Sequence, residues 1–499
     1  MPSKKKLNLR ELLSGIKIAP PIELDEICDD SRYLKKGDVF FACQGLNSHG
    51  LDFIESAVDS GAVAVIYELP YEIPKLEYEI PLIGIENLGE KLGEIANRWY
   101  GYPSHSLNVI GITGTNGKTT VSWLIQHCFS HLKQKCGYIG TLGYGVEKLF
   151  SNDLTTPSCI NLHRILSEFQ DLGVKYVALE VSSHAIAQNR ISGISFDATI
   201  FTNLSRDHID YHGDMASYGE VKAKLFTKIE SKIKIINSND KFGRKLINRL
   251  EGDIVITSNE SSIPTGSYSY VSMLNKEAVE FGFLVEVEST WGKCKINLPL
   301  LGVFNIENAL QVMALLLAYE FYPKDVFNAI ENITPPKGRM ELIKLSLTSG
   351  SPRVVVDFSH TPEALKVSLS ALRLHFKKKI WCVFGCGGSR DIGKRKVMGQ
   401  IAEANADYMV VTSDNPRNED ADKIIADILE GVNGKVSVIS DRFAAINFAI
   451  NSANKEDVIL IAGKGHEDYQ IINGNKTEFS DQNISKELIK VRLTRKSND

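Results

Sequence analysis

The stretch that decides the fold begins with Leu107-Asn-Val-Ile-Gly-Ile-Thr113 and continues as Gly114-Thr-Asn-Gly-Lys-Thr119. Its first half is apolar and predicts a buried strand, and the apolar spacing from Thr119 to Leu132 is helical. A strand, a glycine-rich turn and a helix in this order form a phosphate-binding unit, because the N–H groups that open the helix face the turn. The sequence therefore predicts a nucleotide site here, with ATP as the expected ligand.

This turn departs by one position from the strict phosphate-loop pattern, which requires glycine where the chain has Ile112. The flanking strand and helix favour a phosphate loop nonetheless, and a glycine turn without function is the alternative. Lys118 would place a charge beside the β- and γ-phosphates, and Thr119 would offer a hydroxyl to Mg²⁺. The predicted nucleotide-binding residues are Gly114, Thr115, Asn116, Gly117, Lys118, Thr119 and Thr120.

Acidic and histidine side chains follow the next two predicted strands. Glu180 ends one apolar strand, and a polar run from Asn203 to His212 begins where the other ends. Parallel strands share one carboxyl edge, so Glu180 is predicted beside the phosphate loop, where a carboxylate suits Mg²⁺. A solvated acid at the strand end is one alternative, and a zinc site through His208 and His212 is another.

Length and pattern predict three α/β domains. The chain has 499 residues, and a single hydrophobic core stops growing at about 250–300. Gly101-Tyr-Pro-Ser104 and Pro335-Pro336 suggest boundaries that give domains 1–104, 105–336 and 337–499. We predict a central P-loop ATPase-like parallel sheet, with β-ribbon over residues 260–300 and a helix over Asn305–Glu320. The strand and helix alternation after residue 337 predicts a Rossmann-like C-terminal domain.

Composition predicts a folded cytoplasmic protein. Lys and Arg total 57 against 61 Asp and Glu, a net charge of −4, which provides no global positive field for nucleic acid. The eight cysteines include no Cys-x-x-Cys pair, which favours a reducing compartment. No apolar stretch follows the lysines at positions 4–6, and none is long enough to span a bilayer, so we expect no membrane partner.

Several motifs in a fixed order resemble the Mur ligases, the ATP-dependent amide-forming enzymes of peptidoglycan precursor synthesis. The resemblance extends over almost the whole chain, from Asp30-Ser31-Arg32 to Gly463-Lys-Gly-His-Glu467. One family motif, Asp-Tyr-Ala-His-Thr-Pro, appears as Asp357-Phe-Ser-His-Thr-Pro362, which loses a phenol but keeps Asp357 and His360. The other matching motifs are Thr113 to Thr119, Thr155-Thr-Pro157, Glu180-Val-Ser-Ser-His184, residues 203–213, Phe304-Asn-Ile-Glu-Asn308, Gly338-Arg-Met-Glu341 and Asp414-Asn-Pro-Arg417.

The resemblance implies how ATP and Mg²⁺ are held. Asn308 and Arg339 would hold the adenine and ribose, while Asp357 and His360 would reach the phosphates from the third domain. Lys222 matches a lysine that is carbamylated in the family; without the family, Lys222 and Lys224 are surface lysines of a helix. The implied catalytic residues are Lys118, Glu180, His208 and Lys222, and the implied ligands of two Mg²⁺ ions are Thr119, Glu180, His208 and the carbamylated Lys222.

Within the family, the chain resembles the type that adds the third stem-peptide residue to UDP-N-acetylmuramoyl-L-alanyl-D-glutamate. The N-terminal domain would then be an α/β uridine-nucleotide domain. Leu46 stands where the family's substrate loop has a histidine, so the contact with the substrate at this position is expected to come from the backbone. The implied binding positions are Ser31, Leu46, Asn47, Ser48, Thr155, Thr156, Ser182, Gln188 and Arg190.

The incoming amino acid is predicted to be meso-diaminopimelate rather than L-lysine. In the family, Asp-Asn-Pro-Arg marks the diaminopimelate enzymes, and an arginine fork such as Arg417 holds a carboxylate through two parallel hydrogen bonds. Glu467 would receive the distal ammonium. The pocket residues are Arg390, Asp414, Asn415, Pro416, Arg417, Gly463 and Glu467.

Three alternatives to this function stay open. Two are ligases: one that adds L-lysine, and one that is folylpolyglutamate-synthase-like. The third belongs to another class, a nucleotide-gated binding protein or motor that hydrolyses ATP without an amine acceptor. We expect a monomer.

Overall fold

The computed structural model describes residues 7–45, 48–71, 78–259, 268–348, 350–389 and 391–496. The chain forms two compact units. The first comprises Met1–Ser258, Ser262–Val271 and Gln311–Tyr322, and the second comprises Asn259–Ser261, Ser272–Leu310 and Pro323–Asp499.

The first unit begins with a small parallel sheet. Its four strands lie in chain order, Ile27–Cys28, Val39–Ala42, Ala64–Leu69 and Leu82–Glu86. Apolar side chains of this sheet pack against the helix Leu88–Tyr100, which ends at Gly101 in the left-handed conformation (φ 74°). The other helices of this part are Leu9–Leu12 and Ile54–Asp59, with 3₁₀ turns at Ser31–Tyr33, Gly50–Phe53 and Pro103–His105.

The rest of the first unit is built on a larger sheet around the predicted phosphate-loop strand. Asn108–Thr113 lies between two parallel neighbours, Ala198–Phe201 and Tyr176–Glu180. In order across the sheet, the strands are Asp253–Ser258, Ile233–Asn237, Ala198–Phe201, Asn108–Thr113, Tyr176–Glu180, Cys136–Gly140, Gly143–Gly145 and Leu149–Phe150. The helices are Lys118–His131, Cys159–Asp171, Ser183–Ala187, Ile209–His212, Met215–Thr227 and Lys241–Ile247.

The register of this sheet places the predicted site residues at one edge. Ile112 pairs with Glu180, and Thr113 pairs with Phe201. The phosphate loop, Glu180 and the run that starts at Asn203 therefore all leave the sheet at neighbouring carboxyl ends, as the sequence predicts.

The second unit contains an antiparallel ribbon and a mostly parallel sheet. The ribbon strands are Ser269–Val279, which begins in the first unit, Gly282–Ser289 and Gly292–Leu298. This confirms the predicted ribbon, except for residues 260–267, which lie outside the described residues. The helices Phe304–Ala318, which ends in the first unit, and Pro323–Glu331 follow the ribbon.

The six-stranded sheet confirms the predicted Rossmann-like alternation. Its strands lie in the order Glu341–Leu342, Arg353–Asp357, Val458–Ala462, Ile380–Phe384, Tyr408–Val411 and Ser437–Val438, and only the first is antiparallel. The last strand is shorter than the predicted Val436–Ile439 because it pairs on one side only. The helices are Pro362–His375, Gly393–Asn405, Ala421–Leu429, Arg442–Ser452 and Asp481–Lys496, and Tyr469–Ile472 forms a hairpin with Asn475–Glu478.

Two further findings bear on the sequence predictions. All eight cysteines are free thiols. Among the residues described, no helix is both long and apolar enough to cross a bilayer.

Candidate active site

The phosphate loop is held against the neighbouring strand end by its backbone. A Cβ at Gly114 would lie 1.9 Å from Thr202 Oγ1, so only glycine fits there. Thr115 N donates to Asn203 O (2.8 Å), and Asn116 N donates to Asn203 Oδ1 (3.0 Å). Gly117 then takes a left-handed conformation (φ 89°) directly before the helix Lys118–His131. The glycines are therefore needed at two points of the turn, which favours a phosphate loop over a functionless turn.

Lys118 lies over this loop. Its Nζ donates to the carbonyls of Gly114 and Thr115, both at 2.9 Å. These two contacts hold the ammonium group over the loop that is predicted to bind phosphates. Thr119 and Thr120, which follow it in the helix, are both buried.

Glu180 is fully buried and surrounded by donors. Its Oε1 accepts Tyr138 OH (2.6 Å) and Thr141 N (2.9 Å), and its Oε2 accepts Thr119 Oγ1 (3.0 Å) and Thr141 Oγ1 (3.1 Å). The predicted position of Glu180 beside the phosphate loop is confirmed, and the alternative of a solvated acid is wrong. Sequence reasoning missed Tyr138 and Thr141, which come from the next strand of the sheet and the turn after it.

Lys222 is buried, with 1% of its surface exposed, so its interpretation as a surface lysine is wrong. Its Nζ donates to the carbonyl of Gly114 (2.8 Å) and lies 4.5 Å from the centre of the Tyr218 ring. Burial, reinforced by the nearby charge of Lys118, holds the pKa of Lys222 well below its usual range. Lys224, two residues along the same helix, is exposed.

The 203–213 loop carries several histidines. His208 is exposed, has a left-handed backbone (φ 52°) and lies with Nε2 3.4 Å from Asp207 Oδ2. His212 Nε2 lies 3.0 Å from Ser183 Oγ. Within the part of the chain that the structure describes, no three His, Cys, Asp or Glu side chains form a cluster that could hold a metal ion. The zinc alternative therefore gains no support.

The predicted substrate residues of the central region form one hydrogen-bonded group. Thr156 is fully buried; its Oγ1 donates to the carbonyl of Glu180 (2.7 Å) and accepts from Ser182 N (3.0 Å). Arg190 Nη1 donates to Thr156 O (3.1 Å), and Arg190 Nε donates to Gln188 Oε1 (2.9 Å). Burial lowers the pKa of Arg190 from its ordinary value.

Thr155 connects this group to the phosphate loop. Its Oγ1 lies 3.2 Å from Thr141 Oγ1, which donates to Glu180 Oε2, the same oxygen that accepts Thr119 Oγ1. A continuous chain of hydrogen bonds therefore runs from the start of the phosphate-loop helix to the predicted substrate residues.

The remaining predicted substrate residues of the first unit lie in its N-terminal part. Ser31 is half-buried in the 3₁₀ turn Ser31–Tyr33, and Ser48 is exposed, with its carbonyl accepting Gly45 N (2.9 Å). Leu46 and Asn47 lie outside the described residues.

In the second unit, the residues predicted to bind the adenosine and the phosphates of ATP each make a contact with a neighbouring residue. Asn308 is buried and donates to Asn305 Oδ1 (2.9 Å), and the Arg339 guanidinium lies 4.4 Å from the centre of the Phe358 ring. The Asp357 carboxylate accepts Met340 N and Ser368 Oγ, both at 2.8 Å. His360 is exposed, and its Nδ1 lies 2.9 Å from Phe358 O.

The described residues that are predicted to bind the amino acid lie where strands of the second sheet end. A Cβ at Gly463 would lie 2.6 Å from Asp414 Oδ2, which explains glycine there. Asn415 Nδ2 donates to Glu467 Oε2 (2.8 Å), and burial raises the pKa of Glu467 although the Lys464 charge opposes this. Pro416 is buried beside them, and Arg390 lies outside the described residues.

Arg417 follows in the left-handed conformation (φ 56°). Its backbone N donates to Ile471 O (3.0 Å), and its Nη1 donates to Gly388 O (2.8 Å). The contact with Gly388 O holds one nitrogen of the guanidinium, and no other acceptor among the described residues makes a hydrogen bond with its remaining donors.

Sequence reasoning also missed Lys464, which is fully buried among the pocket residues. Its Nζ lies 3.0 Å from Asn415 Oδ1 and 3.4 Å from Glu467 Oε2. The Gly463-Lys-Gly-His-Glu467 motif was the available signal, because its glycines let the backbone turn inward.

Comparison with known proteins gives consistent matches along the chain. The profile of the Mur ligase middle domain matches residues 112–316, that of the Mur ligase glutamate ligase domain matches 338–465, and that of the Mur ligase family catalytic domain matches 23–100. A protein of Haemophilus influenzae (strain PittGG), named UDP-N-acetylmuramoyl-L-alanyl-D-glutamate--2,6-diaminopimelate ligase, is 40% identical over 476 residues, 94% of this chain and 97% of that protein.

Solved structures agree with these matches. A structure of a UDP-N-acetylmuramoyl-L-alanyl-D-glutamate--2,6-diaminopimelate ligase has a TM-score of 0.69 and 31% identity, covering 98% of this chain and 99% of that one. Mycobacterium tuberculosis folylpolyglutamate synthase, complexed with ADP and AMPPCP, has a TM-score of 0.61 at 19% identity over 75% of this chain and 92% of that one. The second likeness is one of fold alone.

Proposed function

This chain belongs to the Mur ligase family, and on that premise we propose that it joins meso-diaminopimelate to the D-glutamate of UDP-N-acetylmuramoyl-L-alanyl-D-glutamate at the expense of ATP. The observation that carries the proposal is the hydrogen-bond chain from Thr119 through Glu180 and Thr141 to Thr155. It puts the residues predicted to bind the ATP phosphates next to those predicted to bind the acceptor. Phosphoryl transfer requires this proximity.

The chemistry proceeds in two steps. The D-glutamate γ-carboxylate oxygen attacks the γ-phosphorus and ADP leaves, which gives an acyl phosphate. The uncharged amine of diaminopimelate then attacks the acyl carbon; the amide bond forms, phosphate leaves and the amine loses a proton. Exclusion of water protects the acyl phosphate meanwhile.

Lys118 and the phosphate loop act on the first step. Lys118 Nζ is held over the phosphate loop by the carbonyls of Gly114 and Thr115, and we assign its charge to the β- and γ-phosphates. Stabilising charge that moves between these phosphates is the main task of a phosphoryl-transfer enzyme.

The Thr119 hydroxyl and the Glu180 carboxylate lie 3.0 Å apart and are oxygen groups of the kind that bind Mg²⁺. Thr119, Glu180 and His208, with a carbamylated Lys222, would hold the ions, and oxygen ligands such as a hydroxyl and carboxylates are those that Mg²⁺ prefers. Bound Mg²⁺ supplies charge neutralisation at the phosphates. The two Thr141 groups and Tyr138 keep the Glu180 carboxylate oriented.

Carbamylation of Lys222 is supported by its surroundings. Burial and the Lys118 charge favour the uncharged amine, the form that attacks CO₂. The N–C bond forms, the amine releases one proton, and the product is an anionic carbamate. The cation Lys118 would then attract the modified side chain instead of repelling it.

We assign the acceptor, ATP and the amino acid to three groups of side chains. Thr155, Thr156, Ser182, Gln188 and Arg190 would hold the peptide portion of the nucleotide, with Ser31 and residues 46–48 toward the uridine. Asn308, Arg339, Asp357 and His360 are the further residues that we assign to ATP. Arg417 with Arg390 would bind the distal carboxylate of diaminopimelate, and Glu467 with Asp414 its distal ammonium. We propose a cytoplasmic monomer.

The test is the release of phosphate from ATP with each substrate omitted in turn. We expect release only when the UDP-dipeptide and the diamino acid are both present. Release without an amine acceptor would favour the nucleotide-gated ATPase, and use of a folate-type acceptor would favour the folylpolyglutamate-synthase-like alternative.

A further inference from the structure

We propose that Lys464 is a positioning residue that prepares Glu467 for the distal ammonium of the incoming amino acid. It orients Asn415 and occupies one oxygen of Glu467, so that the other oxygen is left for the substrate. The inference rests on the proposed function, which supplies the diamino acid.

The contacts of Lys464 are those of an organising cation. The side chain is fully buried. Its Nζ donates to Asn415 Oδ1 (3.0 Å) and lies 3.4 Å from Glu467 Oε2 and 3.7 Å from Asp414 Oδ1. One ammonium therefore meets three of the residues predicted to form the pocket.

Asn415 transmits this order to Glu467. Its Oδ1 accepts both Lys464 Nζ and Ile471 N (3.0 Å), which determines that its Nδ2 points the other way. That Nδ2 donates to Glu467 Oε2 (2.8 Å). Glu467 Oε2 thus has two donors, whereas no donor among the described residues contacts Oε1.

The charges of this group favour an amine as its ligand. Among the described residues, the Lys464 ammonium and the two carboxylates that lie near it, Asp414 and Glu467, have a net charge of −1, and Arg417 is assigned to the carboxylate of the ligand. The neighbouring buried cation, Arg442, is already paired with Asp481 (2.7 Å), and both side chains are fully buried. A ligand ammonium would complete the balance, and buried charges are stable only when compensated in this way.

The experiment compares two amino acids in wild type and Lys464→Met, which keeps most of the side-chain length without the charge. One is meso-diaminopimelate and the other is 2-aminopimelate, which lacks the distal amine. We expect wild type to show a KM for 2-aminopimelate at least about tenfold higher than for meso-diaminopimelate. In Lys464→Met, the KM for meso-diaminopimelate should rise about tenfold with kcat little changed. The two KM values should then approach each other, while the KM values for ATP and the UDP-dipeptide stay unchanged.

Arg395→Met is the matched control. It removes another buried cation of the second unit, one that pairs with Glu419 and Asp427, both at 2.8 Å. We expect Arg395→Met to lose about as much stability as Lys464→Met but to keep the wild-type ratio of the two KM values. This separates the effect of losing a buried charge from the effect on the pocket.

A double variant keeps the test decisive if Lys464→Met folds poorly. Lys464→Met with Glu467→Gln removes both charges, and replacing a buried pair by neutral groups is often tolerated. Its KM values should match those of Glu467→Gln alone, because Lys464 acts through Glu467. The inference would be overturned if the double variant had higher KM values for both amino acids than Glu467→Gln alone. It would also be overturned if Lys464→Met lowered kcat equally with both amino acids. Absence of product from wild type would instead contradict the proposed function.

Discussion

Of the lysines that the structure describes, Lys222 and Lys464 are the most deeply buried, and their surroundings differ. Lys222 is 1% exposed, and the described hydrogen-bond acceptor for its Nζ is the carbonyl of Gly114, with the cation Lys118 nearby. Lys464 is 0% exposed and meets Asp414, Asn415 and Glu467. The first lysine has no carboxylate within salt-bridge distance among the described residues, whereas the second has two.

Because of this difference, the two buried lysines are suited to different roles. A carbonyl does not compensate a buried charge, so the pKa of Lys222 falls and the amine is available to react. Carboxylates do compensate it, so Lys464 provides a fixed cation that orders its neighbours. Lys222 is thus suited to modification and Lys464 to positioning.

The largest expected effect comes from the cation beside Lys222. Lys118→Ala should lower kcat about 10²–10³-fold, because the charge beside the transferred phosphoryl group is lost. Steady-state product formation measures this, with circular dichroism as the check on folding. This kinetic effect would differ from that of Lys464→Met, which is expected to change the KM for the amino acid and not kcat. Normal turnover by a folded Lys118→Ala variant would remove residues 113–119 from the active site.

Lys222→Ala tests whether the uncharged lysine is modified. Activity should fall about 10²-fold, and formate or acetate should restore part of it, since a small carboxylate can occupy the place of the carbamate. Lys224→Ala, on the exposed side of the same helix, is the matched control and should be fully active. Full activity of Lys222→Ala, or a loss that no small carboxylate rescues, would argue against the carbamate.

Arg417→Ala tests the cationic side of the amino-acid pocket. The preference for meso-diaminopimelate over L-lysine should fall about 10- to 100-fold, because the distal carboxylate distinguishes the two and loses its partner. The measurement is kcat/KM for each amino acid in both proteins. An unchanged preference would place the carboxylate elsewhere.

The last pair of effects concerns stability rather than activity, and the two should have opposite signs. Lys464→Met leaves carboxylates without a partner and should lower the free energy of unfolding by about 3 kcal/mol, the low end for a broken buried pair because Asp414 and Glu467 are partly exposed. Lys222→Met should be neutral or stabilising in CO₂-free buffer, because the wild type buries an amine that ionises readily in the unfolded chain. Urea unfolding of both variants measures the difference, and equal destabilisation would contradict the comparison.

The pH dependence of Lys222→Met follows from the lowered pKa of Lys222. Between the lowered pKa of Lys222 in the folded chain and the ordinary lysine pKa of 10.5, the unfolded chain binds more protons at this side chain than the folded chain does. Wild-type stability from this site therefore rises with pH. The advantage of Lys222→Met should shrink as pH rises toward 10.5, and an advantage that is constant with pH would indicate that Lys222 keeps its charge.

The local sequence pattern was sufficient to predict which residues lie at the carboxyl edge of the sheet in the first unit. The apolar strand before Gly114 and the helix after Gly117 are written in consecutive residues, and the position of Glu180 follows from the rule that parallel strands share a carboxyl edge. The same holds for the Rossmann-like alternation after Pro336, whose strands Ile380–Phe384 and Val458–Ala462 lie where the pattern indicates.

The surroundings of the two lysines could not be predicted from the residues alone. Lys222 is buried because its helix faces the carbonyl of Gly114, 108 positions earlier in the chain. Lys464 meets Asn415, 49 positions away. Helical spacing does not distinguish Lys222 from Lys224, since which face is covered depends on the packed neighbour.

The proposed function is tested most directly by the identity of the product. The protein is given ATP, Mg²⁺ and UDP-N-acetylmuramoyl-L-alanyl-D-glutamate with equal concentrations of meso-diaminopimelate and L-lysine, and the nucleotide product is identified by mass spectrometry. We expect about 10² times more diaminopimelate adduct than lysine adduct, with one ADP and one phosphate formed for each amide bond. A lysine adduct in equal amount, or ADP formed without any adduct, would contradict the account.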